Sequence, residues 1–559
     1  MKRCKRTLKR AASAALAAAC SGALLAGCGG GSTAGTTSAA ASKAATTAGS
    51  TTQSAAQTTA EANSKPYAGT TLTWWTKLNG NVSAEYQNLG DTPWAQYVEE
   101  KTGIHIEFQH PTQGHEDEDF AVMTASGDYP DIIEYTWTKY AGGAGAAIDD
   151  GVIISLDDIM KKGGTPNLSK LLADNPNIDK MIKSSNGEHY CFPFLRGTKT
   201  PNETQFSSGF IYRADVLKEL GLEAPETPDE WETVLKAYKD AGFDVPFTTR
   251  KEWMKDVWSP GFDNWGYFYV DDGVVKNGLI EDSRKDFITW MNKMYSEGLI
   301  DNDYLVADKK SNQTYFTTGK SAVVYAPFGQ GMGDYSKIMQ EQDPSFTSDN
   351  IQCAVPVTKT KGTNAKFSKM NDIYDQSGTS AAISTSCKNR EAAAWLLDWM
   401  FSDEGDLINN YGIEGKTYEM VDGKPTYTDF VLNNPDGKSV SVILAGYSRA
   451  STSGTCVQEE GYIEQYYAQD NQKKALKTSM KTDMGKHFFP PTSVAAEDQE
   501  EYAQIMGQVN TLVSEMEAQF ISGNTSLDEW DSYQQQLKDF GIEKAIQMMQ
   551  KAYDKYMQN

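Results

Sequence analysis

Aromatic and cationic side chains are densest in residues 250–269, a segment that contains Arg250, three tryptophans and two tyrosines. A flat aromatic ring offers an apolar wall, and a nearby arginine adds fixed hydrogen-bond donors. This combination suits a ligand with an apolar face and a polar rim, such as a sugar ring. The tryptophans of this segment are therefore candidate ligand-binding residues: Trp253, Trp258 and Trp265.

Further polar and aromatic residues stand directly after short apolar runs that predict strands, or beside the small-residue loop 450–454. Open α/β sheets bind ligands at the carboxyl ends of their strands, so side chains in these places face the expected site. A tryptophan on an apolar helix stripe is instead predicted to be core, as at 231, 290, 395 and 399. The strand-end and loop candidates are Lys77, Asn79, Tyr135, Trp137, Lys139, Tyr447 and Arg449.

Other chemistries fit the sequence less well. His110 and His115 precede an acidic run at 116–119, but acids at a helix start are favoured by its dipole without any metal. The glycines at 142–145 lack the lysine and hydroxyl residue of a phosphate loop. No Gly-x-Ser-x-Gly motif occurs, and no serine, histidine and aspartate set stands out. We predict no catalytic residue, no metal site and no cofactor.

The thiol of Cys28 is a candidate for covalent modification. Leu25-Ala26-Gly27-Cys28 closes a short apolar run that follows six basic residues, and it resembles a bacterial lipobox. We expect residues 1–27 to be a lipoprotein signal peptide and Cys28 to carry a diacylglycerol (with palmitate-type chains). Loss of the six cations lowers the net charge from −23 to −29, which disfavours nucleic-acid binding.

Residues 28–66 are mostly serine, threonine, alanine and glycine, with almost no large apolar residue, which predicts a disordered tether. The nearly 500 residues that follow exceed a single hydrophobic core, so two or more lobes are expected. Four cysteines remain in this body, and the sequence leaves open whether they pair or stay free. They are Cys191, Cys353, Cys387 and Cys456.

Strand-like runs alternate with capped helices, which predicts an α/β fold. One helix is predicted to start at Pro93 after the cap Thr92 and to stop at Gly103. A second starts at the capping box formed by Thr227 and Glu230. Residues 271–273 (DDG) predict a hairpin turn, and the last roughly 65 residues predict helix throughout, with another capping box at 526 and 529.

Several motifs occur in the same order as in a known family. The chain resembles the family 1 extracellular solute-binding proteins, the sugar-capturing components of ABC importers. A further segment, 411–418 (YGIEGKTY), resembles a marker of the lipoprotein branch that serves oligosaccharide importers. The motifs that carry the resemblance are 126–133 (SGDYPDII), 186–193 (NGEHYCFP), 210–217 (FIYRADVL), 316–323 (FTTGKSAV) and 388–405 (KNREAAAWLLDWMFSDEG).

The resemblance implies a periplasmic-binding-protein-like fold of two lobes, with the ligand cleft between them and extra C-terminal helices. It implies one lobe from 67–195 plus about 375–412, and a second from 196–374 plus about 413–559. It also adds Arg196, at the expected crossover, and Phe328, at a ligand-facing position, to the candidates. Alginate-binding members carry a calcium loop near 240–246, but the ligand spacing is missing here, so we predict no calcium site.

These observations predict a monomeric, lipid-anchored protein on the outer face of the cell membrane. It would capture a carbohydrate, an oligosaccharide rather than a monosaccharide, and pass it to the transmembrane subunits of an ABC permease. Two alternatives stay open at this point. One is a peptide-binding importer component, and the other is a surface glycoside hydrolase, which needs two opposed carboxylates.

Overall fold

The computed structural model describes residues 65–374 and 379–558. The predicted signal peptide, Cys28 and most of the predicted tether lie outside the described residues. None of the helices in these ranges is long and apolar enough to cross a bilayer. The strands are β1 (Thr71–Trp75), β2 (His105–Gln109), β3 (Ile132–Tyr135), β4 (Phe194–Arg196), β5 (Ser208–Arg213), β6 (Phe247–Thr249), β7 (Phe268–Asp271), β8 (Val274–Asn277), β9 (Val323–Pro327), β10 (Ile351–Cys353), β11 (Ser380–Ile383), β12 (Tyr418–Val421), β13 (Lys424–Tyr427) and β14 (Cys456–Gln458).

Helices make up most of the remaining structure. Their bounds are Gly80–Ser83, Pro93–Thr102, Glu116–Ser126, Gly143–Asp149, Asp157–Lys161, Pro166–Asp174, Pro176–Met181, Ala214–Glu219, Pro228–Asp240, Asp282–Ser296, Lys309–Thr317, Tyr335–Gln342, Arg390–Trp399, Asp403–Tyr411, Asp429–Leu432, Val440–Tyr447, Glu460–Tyr466, Asp470–Ser479, Gln499–Ser522, Trp530–Asp539 and Ile542–Gln558.

The first lobe is built on a four-stranded sheet of order β11-β3-β1-β2. β1 pairs in parallel with both β2 and β3, while β11 joins β3 antiparallel. β3 is buried along its whole length, as expected of a central strand with helices on both faces. One hydrophobic core cluster covers this sheet and draws on residues between 72 and 195 and between 373 and 408.

The second lobe is built on a sheet of order β10-β5-β9-β6. Here β6 and β9 are parallel, and β5 runs antiparallel to β9 and to β10. Two core clusters lie on this sheet, and one of them includes residues of the three C-terminal helices between Ile505 and Ala545. The predicted α/β architecture with extra C-terminal helices is therefore present.

The two lobes share connecting elements. β14 pairs in parallel with β4, which brings residue 456 next to residue 194. Ala445, from the helix Val440–Tyr447, packs in the core of the first lobe. Because the predicted boundary near 412 assigns this helix to the second lobe, we propose that residues around 445 belong to the connection between the lobes.

Local sequence signals place several element ends where they were predicted. The Thr92 side chain accepts a hydrogen bond from the Ala95 amide, and Gly103 ends that helix at a φ of 72°. Thr227 and Glu230 form the reciprocal capping box. Residues 272 and 273 turn the β7–β8 hairpin with positive φ angles, which aspartate and glycine tolerate best. Ser526 caps only a short 3₁₀ turn, so the reciprocal box predicted with Glu529 is wrong.

A buried ion cluster fixes the long helix Gln499–Ser522 to the second lobe. Glu517 accepts hydrogen bonds from Arg284 at 2.8 Å and from Lys255 at 2.7 Å. Its carboxylate is fully buried, and although burial opposes ionisation, the two cations hold its pKa at about 2. The four body cysteines are free thiols, which settles the question that the sequence left open.

Candidate functional site

A cavity of about 430 Å³ opens where the two lobes face each other. Arg250 follows β6, and Gly329 and Gln330 follow β9, so the carboxyl ends of two parallel strands form one wall. Asn81, from the loop and short helix after β1, contributes from the first lobe. This is the place at which an open α/β sheet binds a ligand.

Arg250 and Lys309 supply positive charge on the second-lobe wall, and Arg250 is held in place by its neighbours. Its guanidinium lies 4.5 Å from the centre of the Trp253 ring, and its Nη2 donates to Gln330 Oε1 at 3.3 Å. Stacking on an aromatic face holds a guanidinium in a fixed orientation while leaving other N–H groups for a ligand. The Nε2 of Gln330 has no hydrogen-bond partner among the described residues. Both side chains therefore retain hydrogen-bonding capacity at the cavity.

Two adjacent tyrosines add aromatic surface to the same cavity. Tyr466 and Tyr467 end the helix Glu460–Tyr466, and their rings are 5.1 Å apart at 85°. Tyr467 packs edge-on against Phe328, whereas Tyr466 is only partly buried. Burial raises the pKa of Tyr466 to about 12, so its hydroxyl stays protonated as a donor. Neither tyrosine is among the residues predicted from the sequence, because no sequence pattern near them indicates that they lie beside β6 and β9.

On the first lobe, four predicted residues gather at the ends of β1 and β3. Lys77 Nζ lies 3.1 Å from Glu116, and Lys139 Nζ lies 2.8 Å from Asp117. The Tyr135 hydroxyl also donates to Asp117, at 3.0 Å. The Lys139 hydrogen bond is the main cause of the lowered pKa of Asp117.

The acidic helix start predicted at 116–119 is confirmed, and its acids serve as partners for these lysines. Asn79 caps the next helix by accepting from the Asn81 amide at 2.9 Å. The cluster lies on the first-lobe rim, outside the residues that line the 430 Å³ cavity.

Three predicted ligand-binding aromatics are core residues, and these predictions are wrong. Trp258 is fully buried and packs against Phe210 at 4.6 Å. Trp137 is 1% exposed, and its indole N–H donates to the Ser380 carbonyl at 3.0 Å. Phe328 is fully buried beneath the turn that lines the cavity. A ring without an exposed face cannot stack on a ligand in this arrangement.

Arg449 is also corrected, because it forms a buried ion pair. Its Nη2 donates to both carboxylate oxygens of Glu134, at 2.8 and 2.9 Å. Trp74 Nε1 donates to the same carboxylate at 3.1 Å, and Arg449 itself is 5% exposed. A guanidinium committed to a buried carboxylate has a structural role here, which is to tie β3 to the connection between the lobes.

The remaining candidates have partners but keep some exposure. Arg196 donates to the Thr204 carbonyl and to Gln458 Oε1, beside the β4–β14 pair. Trp265 stacks on Phe367 with ring centres 6.1 Å apart, and Tyr447 packs edge-on against a phenylalanine. The structure thus places Arg250 in the lining of the cavity, with Trp253 stacked against it from outside the lining. Arg196, Trp265 and Tyr447 also lie outside the lining.

The described residues contain no group of three or more histidine, cysteine, aspartate or glutamate side chains arranged to hold a metal ion. Within the lining of the cavity, Asp334 is the one carboxylate. The wall chemistry is therefore that of a binding site, with one arginine, one lysine, amides, hydroxyls and tyrosine rings.

The model of the bacterial extracellular solute-binding protein family matches residues 82–407, which is more than half of the chain. The chain belongs to this family. One curated relative of this solute-binding protein is the fructooligosaccharide ABC transporter substrate-binding protein FusA of Streptococcus pneumoniae serotype 4. It is 23% identical over 83% of this chain and 87% of the relative. Lipoprotein LipO of Bacillus subtilis is 25% identical over 83% and 89%.

Solved structures share the fold of this solute-binding protein. The alginate-binding protein AlgQ2 superposes with a TM-score of 0.69 at 24% identity, over 87% of this chain and 98% of that chain. FusA in complex with kestose superposes with a TM-score of 0.68 at 20% identity, over 88% and 100%. The two-lobed, periplasmic-binding-protein-like fold predicted from the sequence is confirmed.

Proposed function

We propose that this solute-binding protein captures a carbohydrate, specifically an oligosaccharide, in the cavity beside Arg250 and delivers it to an ABC permease. The observation that supports this most is the lining of that cavity, which pairs Arg250 and unused amide groups with tyrosine rings. Sugars are bound by such a combination of apolar faces and oriented polar groups. FusA, a relative over most of the chain, is named for fructooligosaccharides and is solved with kestose.

We also propose that a lipid on Cys28 anchors the protein. The lipobox-like sequence at Cys28 and the name of the relative LipO support a lipoprotein on the outer face of the membrane. Two acyl chains give stable attachment to a membrane, as a single chain does not. Beyond the tether, the capture domain would act as a monomer at the permease.

A peptide ligand is the alternative of a different class. Peptides are recognised largely through backbone pairing with a strand edge. The cavity is lined by side chains and by the ends of strands, which favours a sugar. A glycoside hydrolase needs two carboxylates across the cleft, and the cavity lining described above offers only Asp334.

Calorimetric titration of the detergent-solubilised, full-length protein tests the proposal. The panel should hold neutral and acidic oligosaccharides and, as a separate arm, short peptides. We expect one class of oligosaccharide to bind and to be recovered chemically unchanged. Peptide binding without any glycan binding would contradict the proposal, and so would cleavage of the bound glycan.

A further inference from the structure

A second cavity, of about 660 Å³, adjoins the first. It lies between the helix Tyr335–Gln342 and the loop at 432–440. Lys438, on that loop, forms an ion pair with Glu85 of the first lobe at 2.5 Å, so both lobes meet beside it. The two cavities share five lining residues: Gly333, Asp334, Ser439, Val440 and Gln469.

Two residues of the shared wall, Gly333 and Asp334, belong to a π-helical turn, Gly329–Asp334. Such turns are rare and occur frequently at functional sites. A side chain at Gly331 would lie 2.3 Å from Ile211, so glycine lets this turn sit directly on the sheet. At Gly333 an added Cβ would lie 3.2 Å from Nε2 of Gln472, which itself lines the first cavity. Glycine at 333 therefore keeps the passage between the cavities free of a side chain.

Polar groups around this wall have unused hydrogen-bonding capacity. The hydroxyl of Ser336 and the Oε1 of Gln469 have no hydrogen-bond partner among the described residues. Lys337 also lines the second cavity, where it adds an exposed positive charge near Asp334. Buried polar atoms in native proteins are nearly always satisfied, so orphans in a cavity wall point to a partner from outside the chain.

The sizes indicate what kind of partner this is. Each cavity falls in the range of roughly 300–1,000 Å³ that encloses a drug-sized ligand. A single small ring held beside Arg250 would leave the second cavity and its orphan groups unused. A chain of hydroxyl-bearing rings would pass the Gly333 gap and offer donors and acceptors to both compartments.

We propose that the two cavities form one continuous groove, and that the second cavity binds the sugar units of an oligosaccharide beyond those held at Arg250. The inference rests on the proposed function. The second cavity would then determine which chain lengths bind, and Gly333 would lie at the passage between the two cavities.

The test is a chain-length series measured by calorimetry on the full-length protein. The probes are size-graded fructo-, malto- and manno-oligosaccharides and oligoalginates, each from disaccharide to hexasaccharide. The variant is Gly333→Leu, which places a side chain in the shared wall at a position of the π-helical turn where φ is not positive. The matched control is Gly507→Leu, another helical glycine, with open space around it.

In the wild-type protein and in G507L, affinity should rise by about tenfold or more from the shortest binder to the longest. In G333L the ratio between the affinities for the longest and the shortest binder should fall to about one, and this ratio is the readout because Gly333 also lines the first cavity. Equal affinity of the wild-type protein for all chain lengths would overturn the inference. The same holds if G333L keeps its thermal stability but loses affinity by the same factor for every chain length. Absence of binding by every glycan would instead overturn the proposed function, and the inference with it.

Discussion

We propose that ligand recognition depends most on Arg250. Its guanidinium is held over Trp253 and opposite Gln330, so it is oriented before any ligand arrives. Preorganised donors lose little conformational freedom on binding, which is why a single arginine can dominate a polar site. Arg449 is the same residue type near another tryptophan, Trp94, but it is committed to Glu134.

Replacing Arg250 by methionine should weaken glycan binding by about 1.5–3 kcal/mol, the range for a hydrogen bond to a charged group. Methionine keeps much of the side-chain volume, so thermal stability should stay within about 0.5 kcal/mol. Calorimetry and thermal denaturation measure the two effects. The control is Lys251→Met, which removes an exposed cation from the next position. Equal losses in both variants would show that only the net charge matters.

Arg449→Met should lower the stability of the protein and have little effect on glycan binding, the reverse of what is expected for Arg250→Met. It leaves the Glu134 carboxylate buried without its cation, which lowers the free energy of unfolding by about 3–5 kcal/mol. The double variant with Glu134→Met as well should recover much of the loss, because no buried charge then remains. Chemical denaturation measures both. If R449M unfolds like the wild type but loses the ligand, Arg449 contacts the ligand and does not have the structural role given by its ion pair with Glu134.

The Asp406 carboxyl predicts how stability depends on pH. Burial, and then the nearby Glu459 carboxylate with which it shares a hydrogen bond, raise the pKa of Asp406 from 3.8 to about 9. The folded protein therefore holds a proton that the unfolded chain has released, and stability falls as pH rises from about 4 to about 9. Asp406→Asn keeps the hydrogen bond without a titrating proton, so its unfolding free energy should vary less over this range. An unchanged pH profile would contradict this assignment.

Among helices and strands, the sequence predicts those features that nearby residues determine, such as helix ends and tight turns. The helix Pro93–Thr102 and the β7–β8 hairpin follow from caps and turn residues within a few positions. The β11–β3 pair joins Ser380 to Tyr135, and the β14–β4 pair joins Cys456 to Phe194. No local signal encodes pairs between segments so distant in the sequence. The same limit explains the site. Trp258 and Trp253 look alike in the sequence, and only packing on the second sheet separates the buried ring of Trp258 from the partly exposed ring of Trp253 that supports Arg250.

Glu517 determines how the long C-terminal helix is held. Glu517→Gln removes the charge that balances Arg284 and Lys255, and should lower the unfolding free energy by about 3–5 kcal/mol at neutral pH. Since its pKa falls from 4.5 to about 2 on folding, the wild-type contribution is present above pH 4.5 and fades toward pH 2. Denaturation curves of the variant and the wild type should converge there. A constant difference down to pH 2 would contradict the ion-pair account.

At the scale of the whole molecule, the cavity draws on both lobes, so binding and lobe arrangement are linked. A ligand that contacts both walls stabilises the closed arrangement by its differential affinity. We expect the radius of gyration, measured by small-angle X-ray scattering, to fall when a binding oligosaccharide is added. A radius of gyration that stays constant at saturation, with binding shown by calorimetry, would contradict closure.

We propose that an oligosaccharide binds between the lobes, at the wall that carries Arg250. The most direct measurement is a crystal structure of the protein with the oligosaccharide that binds best in the calorimetric panel. We expect a sugar within hydrogen-bond distance of Arg250, with a ring beside Tyr466 and the chain continuing past Gly333. A sugar bound outside this groove, with Arg250 still facing only Gln330 and Trp253, would contradict it.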